Sequence, residues 1–125
     1  HVMLPGNAPQ KQNSERTKYV ENGIRELVKT MTDLGAQPDR IEACLAGGGN
    51  VLEREDDTLC EANIASVKRT LDRLKILRVA EDVGGTLRRS MSLDVGSGRV
   101  WTTVGDAAAS LLWDFSARED KSERG

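Results

Sequence analysis

The sequence has 125 residues, 38% hydrophobic and 30% charged, with a formal net charge of -2. That suits one soluble domain with its own core and excludes a disordered chain. With 3% aromatic residues and no basic excess, it lacks the charge and stacking surface of a nucleic-acid binder, and its apolar runs are too short to span a bilayer.

The chain opens "HVMLPG", and His1 is the only histidine. Residues 1–16 read as a strand end running into a polar loop punctuated by Pro5, Gly6 and Pro9. A helix is predicted over 16–34, because Tyr19, Val20, Ile24, Leu27, Val28, Met31 and Leu34 recur at three- and four-residue spacing. Gly35 stands where a left-handed cap is wanted, with Pro38 beyond it. Gly23 weakens this helix and suggests close packing on a sheet. Residues 41–46 form a short strand closed by Gly47, Gly48 and Gly49.

The charged loop "LEREDD" leads to a second predicted helix over 58–74. Thr58 is its expected cap, with Glu61 completing a capping box. Leu59, Ile64, Val67, Leu71 and Leu74 mark its apolar face. Residues 76–82 form another strand, closed by Gly84 and Gly85, and 88–104 reads as a β-hairpin around Gly96-Ser97-Gly98. "AAASLLWDF" is a small apolar patch at the head of a C-terminal tail, 106–125, whose end, "SAREDKSERG", should fray in solvent. The order predicts an α/β or α+β fold, a mixed sheet with two main helices packed on it. Leu27, Met31, Ile64, Val67 and Leu71 are its expected buried residues.

Chemistry is sparse. A terminal histidine chelates a metal only with further nitrogen or sulfur ligands, and no second histidine exists to supply one. Its other readings are a satisfied strand-end side chain or a general base for a nucleophile. Cys44 lies in an apolar strand, where a thiol is a small inert hydrophobe. Cys60 starts a helix, which favours a thiolate, but Glu61 and the acidic run oppose it. Two cysteines make no disulfide framework, so a reducing, cytoplasmic compartment is expected. "AGGGNV" fits neither a phosphate-binding loop nor a dinucleotide fingerprint, and reads as a tight strand exit. Arg88 and Arg89 read as a surface pair or a partner contact.

"HVMLP", "MTDLGAQPDRIEACLAGGGNV", "CEANIASVKRTL" and "AEDVGGTLRRSMSLDVGSGRV" follow in an order that resembles the CheD family of chemoreceptor glutamine deamidases, from residue 1 to about 104. His1, Met3, Leu4 and Pro5 match the family's His-x-Met-Leu-Pro; Gly47-Gly48 and Gly84-Gly85 match its glycine pairs. Asn63 matches its helix-start asparagine, with "LCEA" in place of the usual Ile-Gly. The resemblance implies a CheD-like layered sandwich over 1–105 and His1 as the base of a Cys-His-Thr triad. It places the cysteine and threonine upstream of the histidine, so the chain taken alone is expected to be inactive. It implies no metal or organic cofactor, methyl-accepting chemoreceptors as substrate proteins, and a CheC-like phosphatase as a further partner. The alternative is a non-catalytic adaptor of the same fold that binds receptors or such a phosphatase.

Overall fold

A computed structural model of the chain describes residues 1–10 and 15–117. Its elements are helices α1 (Val20–Asp33) and α2 (Leu59–Arg73) and strands β1 (Glu42–Gly47), β2 (Leu77–Val83), β3 (Arg89–Asp94), β4 (Arg99–Val104) and β5 (Ser110–Asp114). The class is α+β, as the order of apolar segments implies. The strands form two ladders, β1-β2 and β3-β4-β5. The chain divides into two compact units, residues 1–43 with 54–77 and residues 44–53 with 78–125.

The first unit holds both helices. α1 starts four residues later than its periodicity suggests, because residues 16–18 wind into a 3-10 turn. Tyr19 is then extended and serves as the N-cap residue. Val20 is fully buried, but burial fades along the helix: Ile24 and Val28 are half-buried, Leu27 is 60% exposed, Met31 37% and Leu34 84%. The expected burial of Leu27 and Met31 is therefore corrected. The apolar stripe of α1 is longer than the surface that covers it among the described residues, and only its first turns lie against "HVMLPG".

In α2 the expected Leu71 is buried, while Ile64 and Val67 are half-buried. The other fully covered positions are Ser66 and Thr70, which periodicity of apolar residues could not show. Their hydroxyls are satisfied locally. Thr70 Oγ1 donates to the Ser66 carbonyl at 2.8 Å, and Ser66 Oγ accepts from the Gly6 N–H at 2.9 Å. Small hydroxyl residues thus let the chain approach closely without orphaning a polar group. Arg73 Nη1 joins α2 to α1 through Glu21 Oε1 at 2.9 Å.

The cap of α2 is not the predicted one. Thr58 has helical backbone angles and makes no side-chain cap bond. Asp57 Oδ1 instead accepts from the N–H groups of Leu59, at 3.1 Å, and Cys60, at 3.4 Å. A carboxylate at a helix N-terminus gains from the helix dipole as well as from the bonds, which favours it over the neighbouring hydroxyl. The C-termini of both helices follow one plan. Ala36 N–H bonds to Met31 C=O and Gly35 N–H to Thr32 C=O; Ile76 N–H bonds to Leu71 C=O and Lys75 N–H to Asp72 C=O. The left-handed position is Gly35 in α1, but Lys75, at φ 59°, in α2.

The second unit is built on turns. β1 and β2 end together, with Gly84 N–H donating to Gly47 C=O at 3.0 Å and Asn50 N–H to Gly85 C=O at 2.8 Å. A side chain at Gly49 would meet the Leu87 carbonyl at 2.5 Å. "AGGGNV" is a tight strand exit, as its spacing indicates. Arg89 fastens this region: its guanidinium donates to the carbonyls of Gly84 and Leu87 and to Asp82 Oδ1. Arg88 is an exposed partner of Asp106 at 3.2 Å.

The predicted hairpin is β3-β4, in register from Arg89↔Val104 to Asp94↔Arg99. Asp94 organises its turn, accepting from Gly96 N–H at 3.1 Å and Ser97 Oγ at 2.9 Å. β4 is the central strand and buries Val100 and Thr102. The apolar patch "SLLWD" forms β5, antiparallel to β4 with a bulge at Val100/Trp101. Trp113 and Phe115 stack edge to face at 6.3 Å. Most of the expected fraying tail, 118–125, lies outside the described residues.

Two substitutions at the end of α2 should act in opposite directions. Leu71→Ala empties a buried site and should cost about 2–5 kcal/mol. Lys75→Gly relieves a left-handed backbone and should gain about 1 kcal/mol. Denaturant titration of both variants checks the signs; a neutral Leu71→Ala would place that side chain in solvent.

Candidate functional site

His1 is exposed. The residues behind it are held one by one. The Val2 side chain lies over Gly23, where a Cβ would fall 2.8 Å from Val2 Cγ1 and 2.5 Å from the Thr17 carbonyl. The close packing expected at Gly23 is there, but its neighbours are Val2 and the turn before α1 and not a sheet.

Met3 is held through both backbone groups. Its N–H donates to the Lys18 carbonyl at 2.6 Å. Its carbonyl accepts from Asn63 Nδ2, on α2, at 2.9 Å. Leu4 N–H shares the Lys18 carbonyl at 3.0 Å, and Leu4 C=O accepts from Val20 N–H at 2.8 Å, so that Leu4 and Tyr19 form a parallel bridge. Glu21 N–H donates to Gly6 C=O at 3.0 Å, and Ala8 N–H to Asn22 Oδ1 at 2.7 Å. The opening segment thus satisfies the first donors of α1, which would otherwise be orphans at the helix start. His1 heads a segment that is fixed from its second residue onward.

Cys44 is half-buried in β1, and neither cysteine forms a disulfide among the described residues. Cys60 lies in the first turn of α2. Its thiol is pushed above the ordinary range, first by its hydrogen bond to the Asp57 carboxylate, then by burial and by the negative charge itself. The same bond, with the N–H bonds of Leu59 and Cys60, holds the Asp57 carboxyl below its ordinary value. The acidic run that opposes a thiolate in the sequence acts through this one carboxylate. Among the described residues no three His, Cys, Asp or Glu side chains gather as a metal site requires. No helix among them is long and apolar enough to cross a membrane.

The sequence singles out His1 and Gly23, and matches Asn63 by resemblance. It does not show the Lys18 carbonyl as a double acceptor, or Asp57 as the cap. Asp57 outranks Thr58 in cap preference and was the available signal.

Comparison with known proteins places these features in a lineage. A family model described as CheD chemotactic sensory transduction matches residues 3–104. A protein of Thermococcus kodakarensis named probable chemoreceptor glutamine deamidase CheD is 38% identical over 103 residues, covering 80% of this chain and 64% of that protein. One of the same name from Chlorobium luteolum is 30% identical over 115 residues, covering 92% of this chain and 57% of that protein. The chemoreceptor glutamine deamidase CheD of Thermotoga maritima is 31% identical over 100 residues, covering 80% and 62%. The chain spans about three fifths of the length of these relatives. With a family match over most of its residues, the chain belongs to the CheD family.

Proposed function

We propose that this chain is the histidine-bearing part of a chemoreceptor glutamine deamidase, with His1 as its general base. The observation that carries this reading is the anchoring of "HVMLPG": a side chain that must meet a thiol within hydrogen-bond reach needs a fixed backbone behind it. The names of the relatives support the substrate class, a glutamine on a chemoreceptor; under this reading the receptor is of the methyl-accepting kind. A CheC-like phosphatase is a further partner under this reading, and the cytoplasm is its compartment.

The chemistry is nucleophilic acyl transfer. A thiolate attacks the side-chain amide carbon of the glutamine and forms a tetrahedral intermediate. The histidine, having taken the thiol proton, returns it to the departing nitrogen, and ammonia leaves a thioester. Water, deprotonated by the same imidazole, then attacks the thioester. The C–S bond breaks, the sulfur recovers its proton, and the receptor carries a glutamate. No step calls for a metal or an organic cofactor. An orienting group on the imidazole would fix its tautomer, the role that the resemblance gives to a threonine.

The reactive thiol of this scheme is neither of the two in the chain. Cys60 is held protonated by Asp57, the reverse of what a nucleophile requires. Cys44 sits within the β1 ladder, where strand neighbours flank it. The resemblance places the thiol upstream of the histidine.

Two measurements test this. In the complete protein, His1→Ala should lower turnover, read as ammonia release or a Gln-to-Glu mass shift on a receptor peptide, by about 10²-fold or more with the fold intact. Unchanged turnover would remove His1 from the reaction. Asp57→Asn should bring the Cys60 thiol back toward its ordinary range. Its alkylation by iodoacetamide at fixed mildly alkaline pH, followed by peptide mass, should then accelerate while deamidation stays the same. Deamidation that rises with Cys60 reactivity would make Cys60 the nucleophile.

A further inference from the structure

His1 is exposed, yet the chain two residues on is held by a side chain from a distant part of the sequence. Asn63 Nδ2 donates to the Met3 carbonyl at 2.9 Å across a separation of 60 residues. The other backbone group of Met3, its N–H, is taken by Lys18. Lys18 precedes α1 and Asn63 lies on α2, so the Met3 backbone is clamped between the two helices. The carboxamide is committed to this task. Its Oδ1 is buried and meets no hydrogen-bond donor among the described residues. Burying an amide oxygen without a partner is unfavourable. The carboxamide thus makes its bond to Met3 at the expense of a buried oxygen.

We infer that Asn63 is a positioning residue for His1: through the Met3 carbonyl it sets the direction in which the chain leaves α1 and α2, and so the place of the imidazole. Two residues of extended chain span at most about 7 Å, so a shift at Met3 passes to His1 with little room to dissipate. Val2 on Gly23 resists translation of the same segment, while the Asn63 bond fixes the orientation of the Met3 carbonyl. This inference rests on the deamidase reading and names a residue that the reading itself does not use.

The test uses the complete protein and a receptor peptide, with kcat, KM and melting temperature measured for each variant. Asn63→Ala removes the donor, and Asn63→Asp removes it at neutral pH while keeping the shape. Ser66→Ala is the control. It removes the tether at Gly6, on the same segment but farther from His1. Both Asn63 variants should lose about tenfold to 10²-fold in kcat, with KM within twofold of wild type. Ser66→Ala should lose stability yet keep kcat within twofold. The inference is overturned if the Asn63 variants keep kcat while His1→Ala is inactive. It is overturned equally if Ser66→Ala loses kcat to the same extent, or if both Asn63 variants fail to fold, since either result makes the clamp a matter of stability alone. An inactive wild-type protein, or a fully active His1→Ala, overturns the deamidase reading and this inference together. That pattern is distinct from loss of the Asn63 effect alone.

Discussion

The backbone of Met3 is bonded on both sides, by the Lys18 carbonyl and the Asn63 carboxamide. The organisation of the helical unit follows from that clamp. "HVMLPG" lies where the N-terminal donors of α1 need acceptors, and Leu4 and Gly6 supply them to Val20 and Glu21. The same segment ties to α2 through Asn63 and Ser66. Each bond contributes only about 1 kcal/mol net. Their importance lies in being close together: Met3, Leu4 and Gly6 are each held by hydrogen bonds, and His1 lies two residues from Met3. The absence of a Cβ at Gly23 is what allows this segment to lie so close to the helix.

The second unit solves a different problem, how to turn two strands sharply in one place. The glycine runs after β1 and β2 meet through backbone bonds, and the largely buried Arg89 guanidinium gathers the carbonyls of the second turn. Its partner Asp82 offsets part of the cost of burying that charge. The glycines are therefore explained by the left-handed backbone of Gly47, Gly48, Gly84 and Gly85 and by the approach of the Leu87 carbonyl to Gly49. Arg88, its neighbour in sequence, is an ordinary exposed ion pair of the kind that contributes little. Two adjacent arginines thus have unequal weight, and only their surroundings distinguish them.

Cys60 shows how a local rule yields to its neighbours. A helix N-terminus stabilises a thiolate, but the group that caps the helix is itself an anion. Asp57 takes the N–H groups that would have favoured the thiolate and places a carboxylate against the sulfur. The cap that holds α2 also silences its first-turn thiol.

Though the expected strand end at "HVMLP" is only an isolated bridge at Leu4, the sequence by itself determined the order α1, β1, α2, β2 and the β3-β4 hairpin, because periodicities of two and near 3.6 and the glycine exits are local properties carried by consecutive residues. It determined the hairpin, where Asp94 and the Gly-Ser-Gly turn follow each other directly, and the helix end at Gly35. Ordered matches such as His-x-Met-Leu-Pro made the family legible as a resemblance. Only the tertiary structure decided which apolar residues are covered. Leu27 and Met31 share a face with buried Val20, yet the covering segment reaches only the first turns of α1. It also decided that Ser66 and Thr70 are buried, since small hydroxyls become interior only when a backbone passes near enough to use them. The strand role of "SLLWD" depends on β4 offering a free edge, a fact that no stretch of five residues contains. The bond from Asn63 to Met3 joins residues 60 apart in the chain, and a contact of that kind is fixed by folding rather than by spacing.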